Sequence, residues 1–263
     1  MTSGNPAGWF CRLAMRGGAL ILGFAAVIGW PLPSRSQAYQ VPVTGSSITR
    51  MTGYLYKPQG NGPFPVVILV HGTRGYMDYS ETFAALAQHY NSIGVATFAI
   101  DWGTAHGMIP QYRPPSLNLP PMSAVLNDAY SAARFLSKLP FIDRRGIFFE
   151  GFSLAGRLAL SVAAEDRAST FAGAIGYTTD CAGYAPGQKF VVPALIVLTD
   201  TYGGAGPCAA LRGPNVDVLT INAAYEDIWK DRVSSAFVES QRRADALIKR
   251  AMTRAASGGA ARY

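Results

Sequence analysis

Histidine is scarce in this chain. Its 263 residues include three, His71, His89 and His106, and none follows residue 106. Chemistry that needs an imidazole must therefore draw on the first half of the sequence. Cysteine is equally sparse at three residues, and no Cys/His cluster has zinc-ligand spacing, so no metal is expected. No G-x-G-x-x-G follows a strand and no phosphate-binding lysine loop is present, so no cofactor is expected either. Charged residues make up 15% of the chain, and no basic-aromatic motif is found. That argues against a nucleic-acid partner. Internal repeats and low-complexity blocks are absent.

The first forty residues differ from the rest. Arg12 and Arg16 precede an uncharged apolar run from Gly17 to Trp30, followed by Pro31, Pro33 and the small-residue site Ser36-Gln37-Ala38. A positive flank, a short apolar core and a small-x-small end describe a secretory signal. The run is shorter than the roughly 20 residues of a bilayer span. Residues 1–38 are therefore expected to be a signal peptide cleaved after Ala38, giving a periplasmic or secreted protein with no stable membrane insertion. An uncleaved N-terminal anchor is the alternative. Cleavage lowers the net charge from +7 to +4, because the segment holds Arg12, Arg16 and Arg35 and no acid. It also removes Cys11 and leaves Cys181 and Cys208. In an oxidising compartment these can pair as a disulfide, or they can remain two buried thiols.

A hydrophobic content of 49% supports a sizeable core. Residues 66–70 (Val-Val-Ile-Leu-Val) are apolar without alternation, which marks a strand covered on both faces. Strands are also predicted at 47–57, 95–100, 147–150, 171–177, 194–199 and 216–221, with helices at 79–92, 123–137, 154–165 and 233–254. A Gly/Pro-rich loop spans 103–121. Strands alternating with helices predict an α/β fold with a mainly parallel, doubly wound sheet, as one domain over residues 45–255.

Ser153 stands where chemistry is expected. The text Ile147-Phe148-Phe149-Glu150-Gly151-Phe152-Ser153-Leu154-Ala155-Gly156 is a short apolar run, a serine among small residues and then a helical pattern. A nucleophilic serine on a sharp strand–helix turn reads this way; a helix-capping serine is the alternative. Upstream, His71-Gly72-Thr73-Arg74-Gly75 follows a buried strand. In such a fold that loop and the residue after the nucleophile supply oxyanion-binding N–H groups, which nominates Thr73 and Leu154. His71 is expected to order its loop, and His89 to be a surface or packing residue. Trp102, Tyr112 and Met122 are either cleft lining or core.

With these motifs the chain resembles the dienelactone hydrolase family of the α/β-hydrolase superfamily, specifically its exported serine-containing relatives. The matching text is Gly53-Tyr54-Leu55-Tyr56-Lys57-Pro58, Pro65 through Gly72, Asp128 through Leu136, Gly151-Phe152-Ser153-Leu154, Pro193 through Leu198 and Pro207-Cys208. The resemblance implies the α/β-hydrolase fold, a small-molecule ester or lactone substrate and a Ser…Asp…His chain order. It assigns the acid to Asp200. The histidine position falls in Asn222-Ala223-Ala224-Tyr225-Glu226-Asp227, where it is occupied by Glu226. A carboxylate near pKa 4.3 is a poor acceptor for a serine proton at neutral pH. His106, in the loop after the strand at 95–100, is the other candidate base. Two functions are therefore open: an exported esterase or lactonase with a weakened base, or a non-catalytic member of the fold that binds a small ligand or partner.

Overall fold

The computed structural model of the protein describes residues 36–108, 119–165, 170–177, 181–185, 187–199, 205–224, 230–231 and 234–257. The strands are β1 (Gln37–Pro42), β2 (Arg50–Tyr56), β3 (Phe64–Val70), β4 (Ala96–Asp101), β5 (Ile142–Phe152), β6 (Gly173–Tyr177), β7 (Ala194–Thr199) and β8 (Val216–Ile221). The helices are α1 (Tyr76–Ser92), α2 (Trp102–Ala105), α3 (Met122–Leu136), α4 (Leu154–Ala164), α5 (Ala205–Ala209) and α6 (Ser235–Ala256). One eight-stranded sheet runs in the order β1-β2-β4-β3-β5-β6-β7-β8. Pairings from β4 through β8 are parallel, and β1 and β2 add an antiparallel edge.

The sequence explains this layering. Val66 through Val70 of β3 are all fully buried, and every residue of β4 and β7 is buried. Strands so apolar need cover on both faces. Phe83, Leu86 and Tyr90 of α1 pack with Ala244, Leu247 and Ile248 of α6 on one face. Val125 and Ala129 of α3 pack with Leu158 and Val162 of α4 on the other. A mainly parallel, doubly wound α/β sheet follows, as expected.

The chain order creates a crevice. β3 and β5 are parallel neighbours. β3 leads into α1 on one face and β5 leads into α4 on the other. The connections part in opposite directions at the C-terminal ends of these two strands, which is where ligands bind in open α/β sheets.

Four elements differ from the sequence expectation, one of them the five-residue helix α5, which falls where no helix is predicted. β1 lies before residue 45; it is a mostly exposed edge strand with little apolar pattern, held by Tyr39 against Phe98 and Phe135. α2 occupies the start of the predicted loop at 103–121, and the Asp101 carboxylate caps it by accepting from Thr104 N–H at 3.1 Å. β5 begins at Ile142, earlier than the apolar run from Ile147, because its first residues pair with Phe64 at the near end of β3. α6 starts where the side chain of Ser234 accepts from Phe237 N–H at 3.0 Å, a standard N-cap.

Cys181 and Cys208 are joined as a disulfide, which removes the two-thiol alternative. The bridge ties the segment after β6 to α5 and is fully buried. It closes a separation of 27 positions, worth roughly 3 kcal/mol through restriction of the unfolded chain. Replacing both cysteines by serine is therefore expected to lower Tm by roughly 6–12 °C. Thermal unfolding with and without reductant measures this, and a double variant that melts with the parent would show that the bridge contributes nothing.

Candidate active site

Ser153 sits between β5 and α4 with φ 57° and ψ −118°. It is the sole non-glycine residue with positive φ among the described residues. Such backbone strain costs on the order of 1–3 kcal/mol and persists only where surrounding structure enforces it. Here the enforcement is visible. Ser153 N–H donates to the Tyr177 carbonyl at the end of β6 at 2.7 Å, and Gly156 N–H donates back to the Ser153 carbonyl at 2.9 Å. The Ser153 side chain makes no capping hydrogen bond to α4, which sets aside the helix-cap reading. The side chain is left half-buried at the mouth of the crevice.

Close approach explains the small residues. A Cβ on Gly151 would lie 2.2 Å from the Ala155 carbonyl oxygen, so only glycine lets β5 meet the first turn of α4. A Cβ on Gly72 would lie 2.8 Å from Ser153 Cβ, 2.8 Å from the Tyr79 hydroxyl and 2.9 Å from the Phe152 carbonyl oxygen. The loop after β3 is thus pressed against the turn after β5. Thr73 and Leu154, nominated as oxyanion donors, are the residues following Gly72 and Ser153 on the two sides of this contact.

His71 holds that loop. The Gly72 carbonyl can only accept, so His71 Nδ1 carries the proton it donates there at 2.7 Å. Nε2 then accepts from Gly103 N–H at 3.3 Å. The ring stacks on Trp102 at 4.7 Å, and Trp102 Nε1–H donates to the His71 carbonyl at 2.9 Å. Both residues are fully buried, so Trp102 is core.

The other two imidazoles are also engaged. His106 Nε2 bonds Asp128 of α3 at 2.8 Å, and both side chains are nearly or fully buried. Burial pushes the Asp128 carboxyl up, opposed by His106. His89 bridges α1 to α6 by bonding both Asp245 oxygens at 2.9 and 3.0 Å, and that bond raises its pKa. No hydrogen bond joins Ser153 to an imidazole among the described residues. Asp200 and Glu226 lie outside those residues. The strands that precede them, β7 and β8, end on the same edge of the sheet as β5.

Sequence reasoning passed over a buried polar cluster beneath this site. Glu150 of β5 is fully buried, and Tyr90 O–H donates to its Oε2 at 2.6 Å. Its Oε1 has no partner, nor does the buried Oε1 of Gln241 on α6. Gln241 Nε2–H donates to the Tyr177 hydroxyl at 2.6 Å, and the Tyr177 ring stacks on Phe152 at 4.7 Å. Burial, opposed by Tyr90 and His89, pushes the Glu150 carboxyl up to about 7. An acid three residues before Ser153 inside an apolar run was the available signal.

The chain matches no model of a known protein family and no curated protein. Solved structures do resemble it. A candidate dienelactone hydrolase from Klebsiella pneumoniae superposes with TM-score 0.63 at 18% identity, covering 81% of this chain and 98% of that one. A thermostable carboxylesterase from a metagenomic library gives TM-score 0.60 at 16% identity, over 82% and 89%. A dienelactone hydrolase from Anabaena variabilis gives TM-score 0.57 at 16% identity, over 81% and 97%. The fold is therefore that of the α/β hydrolases.

The Glu150 carboxyl yields a stability prediction. Its pKa is raised from 4.5 to about 7 in the fold, so this group's stabilising contribution is complete below pH 4.5 and lost as pH rises through 7. The loss amounts to about 3 kcal/mol. Glu150→Gln keeps an acceptor for Tyr90 and cannot ionise. Relative to the parent, it should gain about that much stability between pH 4.5 and 8 in urea melts. Identical pH dependence in the two proteins would contradict it.

Proposed function

We propose that this protein is an exported serine hydrolase of small ester or lactone substrates, slowed by the lack of a histidine base. The observation that carries the reading is the strained φ of 57° at Ser153, held at the crevice between β3 and β5. Strain of this kind is retained where it exposes a reacting side chain. The names of the similar structures, dienelactone hydrolases and a carboxylesterase, agree in reaction class. The disulfide suits an oxidising compartment.

In this reading Ser153 Oγ adds to the acyl carbonyl carbon as its proton passes to a base. The carbonyl oxygen takes up the negative charge between the N–H groups of Thr73 and Leu154. Collapse breaks the acyl C–O bond, and the alcohol leaves with the transferred proton. Water then adds to the acyl-serine and releases the carboxylic acid. By the family resemblance, Glu226 takes the histidine's place in the sequence and Asp200 the acid's. A carboxylate base forfeits much of the 10²–10⁴-fold that a well-matched base contributes. The engagement of all three imidazoles elsewhere favours a second reading, a non-catalytic protein binding a small ligand in the same crevice.

A fluorophosphonate probe separates the two. Labelling is expected at Ser153 and should vanish in Ser153→Ala, with slow turnover of p-nitrophenyl acetate. Glu226→His should raise kcat by about 10²-fold or more. A folded protein that takes no label and hydrolyses no short ester would leave the binding reading. Cleavage of the signal peptide is tested by the mature N-terminus, expected at Tyr39; a chain beginning at Met1 would contradict it.

A further inference from the structure

We infer that Gln241 of α6 is a positioning residue for the nucleophile, acting through Tyr177 to hold Ser153 in its strained conformation. The inference rests on the serine hydrolase reading above. It gives α6, on the face of the sheet opposite α4, a part in the rate of acylation.

Strain at Ser153 has to be held from outside. Its N–H is held by the Tyr177 carbonyl at 2.7 Å, and its carbonyl by Gly156 N–H at 2.9 Å. Both partners meet the end of β6. Gly176 is pressed on α4, where a Cβ would lie 2.3 Å from the Gly156 carbonyl oxygen. Tyr177 points to the other face, since successive strand residues alternate, and it packs there with α1 and α6. It is the ladder partner of Phe152, the residue before Ser153. The position of Tyr177 therefore sets where the Ser153 N–H finds its acceptor.

The Tyr177 side chain is fixed along its whole length. Its ring stacks on Phe152 at 4.7 Å and 4° between planes, and Phe152 is backed by Tyr79 and Phe83 at 5.7 and 5.6 Å. Its hydroxyl is held by α6. Gln241 Nε2–H donates to it at 2.6 Å. The hydroxyl donates in turn to Ser240 Oγ at 3.3 Å, and Ser240 donates to the Phe237 carbonyl at 2.8 Å. Tyr177 is fully buried and Gln241 nearly so.

Gln241 is costly where it stands. It interrupts the apolar face of α6 between Phe237 and Ala244, and its own carbonyl oxygen is buried without a partner. A buried acceptor left unpaired destabilises a fold, and methionine or leucine would fill the same space. What the amide supplies is a donor aimed at the Tyr177 hydroxyl. An unpaired buried group of this sort is accounted for by a role in holding strain.

Two variants test this. Gln241→Met removes the donor and keeps the volume. Tyr177→Phe removes the hydroxyl and keeps the ring and the backbone carbonyl. The two and their double are compared with the parent at a temperature where circular dichroism shows all of them folded. The measurements are Tm, the rate of fluorophosphonate labelling at Ser153, and kcat and KM for p-nitrophenyl acetate. Labelling rate and kcat are expected to fall about tenfold or more in each single variant, with KM within about twofold, since a misplacement of about 1 Å can cost roughly 10²-fold. The double variant should be no slower than the slower single one, because both changes act through one hydroxyl. A stabilising role alone would lower Tm and leave labelling and kcat parental; that result overturns the inference and leaves Ser153 as nucleophile. Losses that multiply in the double variant overturn it too, since Gln241 would then act by another route. If Gln241→Met does not fold, Tyr177→Phe decides on the same measurements. A parent that takes no label and hydrolyses no ester overturns the hydrolase reading and this inference together.

Discussion

The structure depends on the contact between two turns, one after β3 and one after β5, at the point where Gly72 meets Ser153. Backbone approaches side chain so closely there that no Cβ fits on Gly72. The same closeness forces Ser153 out of the ordinary conformations of L-residues. Strain on one side and glycine on the other are two expressions of one constraint. It is imposed from outside the turns. The Tyr177 carbonyl of β6 anchors the Ser153 N–H, and His71 locks the Gly72 carbonyl. Phe152, Tyr79 and Phe83 pack beneath. A hydroxyl is thereby presented at the one edge of the sheet where the connections diverge.

Against that presentation stands the distribution of imidazoles. His71 orders a loop, His89 clamps α1 to α6, and His106 fastens the end of α2 to α3 through Asp128. Each is engaged in holding elements together. The fold keeps a strained serine while committing its histidines to structure. On the proposed hydrolase reading, that commitment is the physical reason to expect slow chemistry. The buried Glu150 adds a different feature, since its carboxyl sits on the strand that carries the serine and shares a polar cluster with Tyr177 and α6.

Much of the fold was legible because its signals are local. Val66 through Val70, Ala194 through Thr199 and Val216 through Ile221 are strands in which apolarity or β-branching dominates. The Gly151-x-Ser153 turn carries its own grammar in sequence. Elements with weak or mixed patterns were not legible. β1 is a mostly exposed edge strand, and α2 depends on one Asp101 cap. Tertiary partnerships were hidden as well. Nothing local pairs His106 with Asp128 across a long loop, or brings Tyr79, spaced like any core aromatic, to the side of Ser153. Glu150 is the intermediate case: an acid inside Phe148-Phe149-Glu150 was visible, while the donor that makes its burial tolerable, Tyr90, lies on another element.

In the proposed hydrolase reading, the Gly72–Ser153 junction forms a working nucleophile with its oxyanion site. A crystal structure of the protein treated with a dialkyl p-nitrophenyl phosphate, which phosphorylates a reactive serine with loss of p-nitrophenolate, tests it most directly. The expected result is a phosphoryl group bonded to Ser153 Oγ, with its free oxygen within hydrogen-bond reach of the Thr73 and Leu154 N–H groups. An unmodified Ser153, or an adduct whose oxygen faces away from both N–H groups, would contradict it.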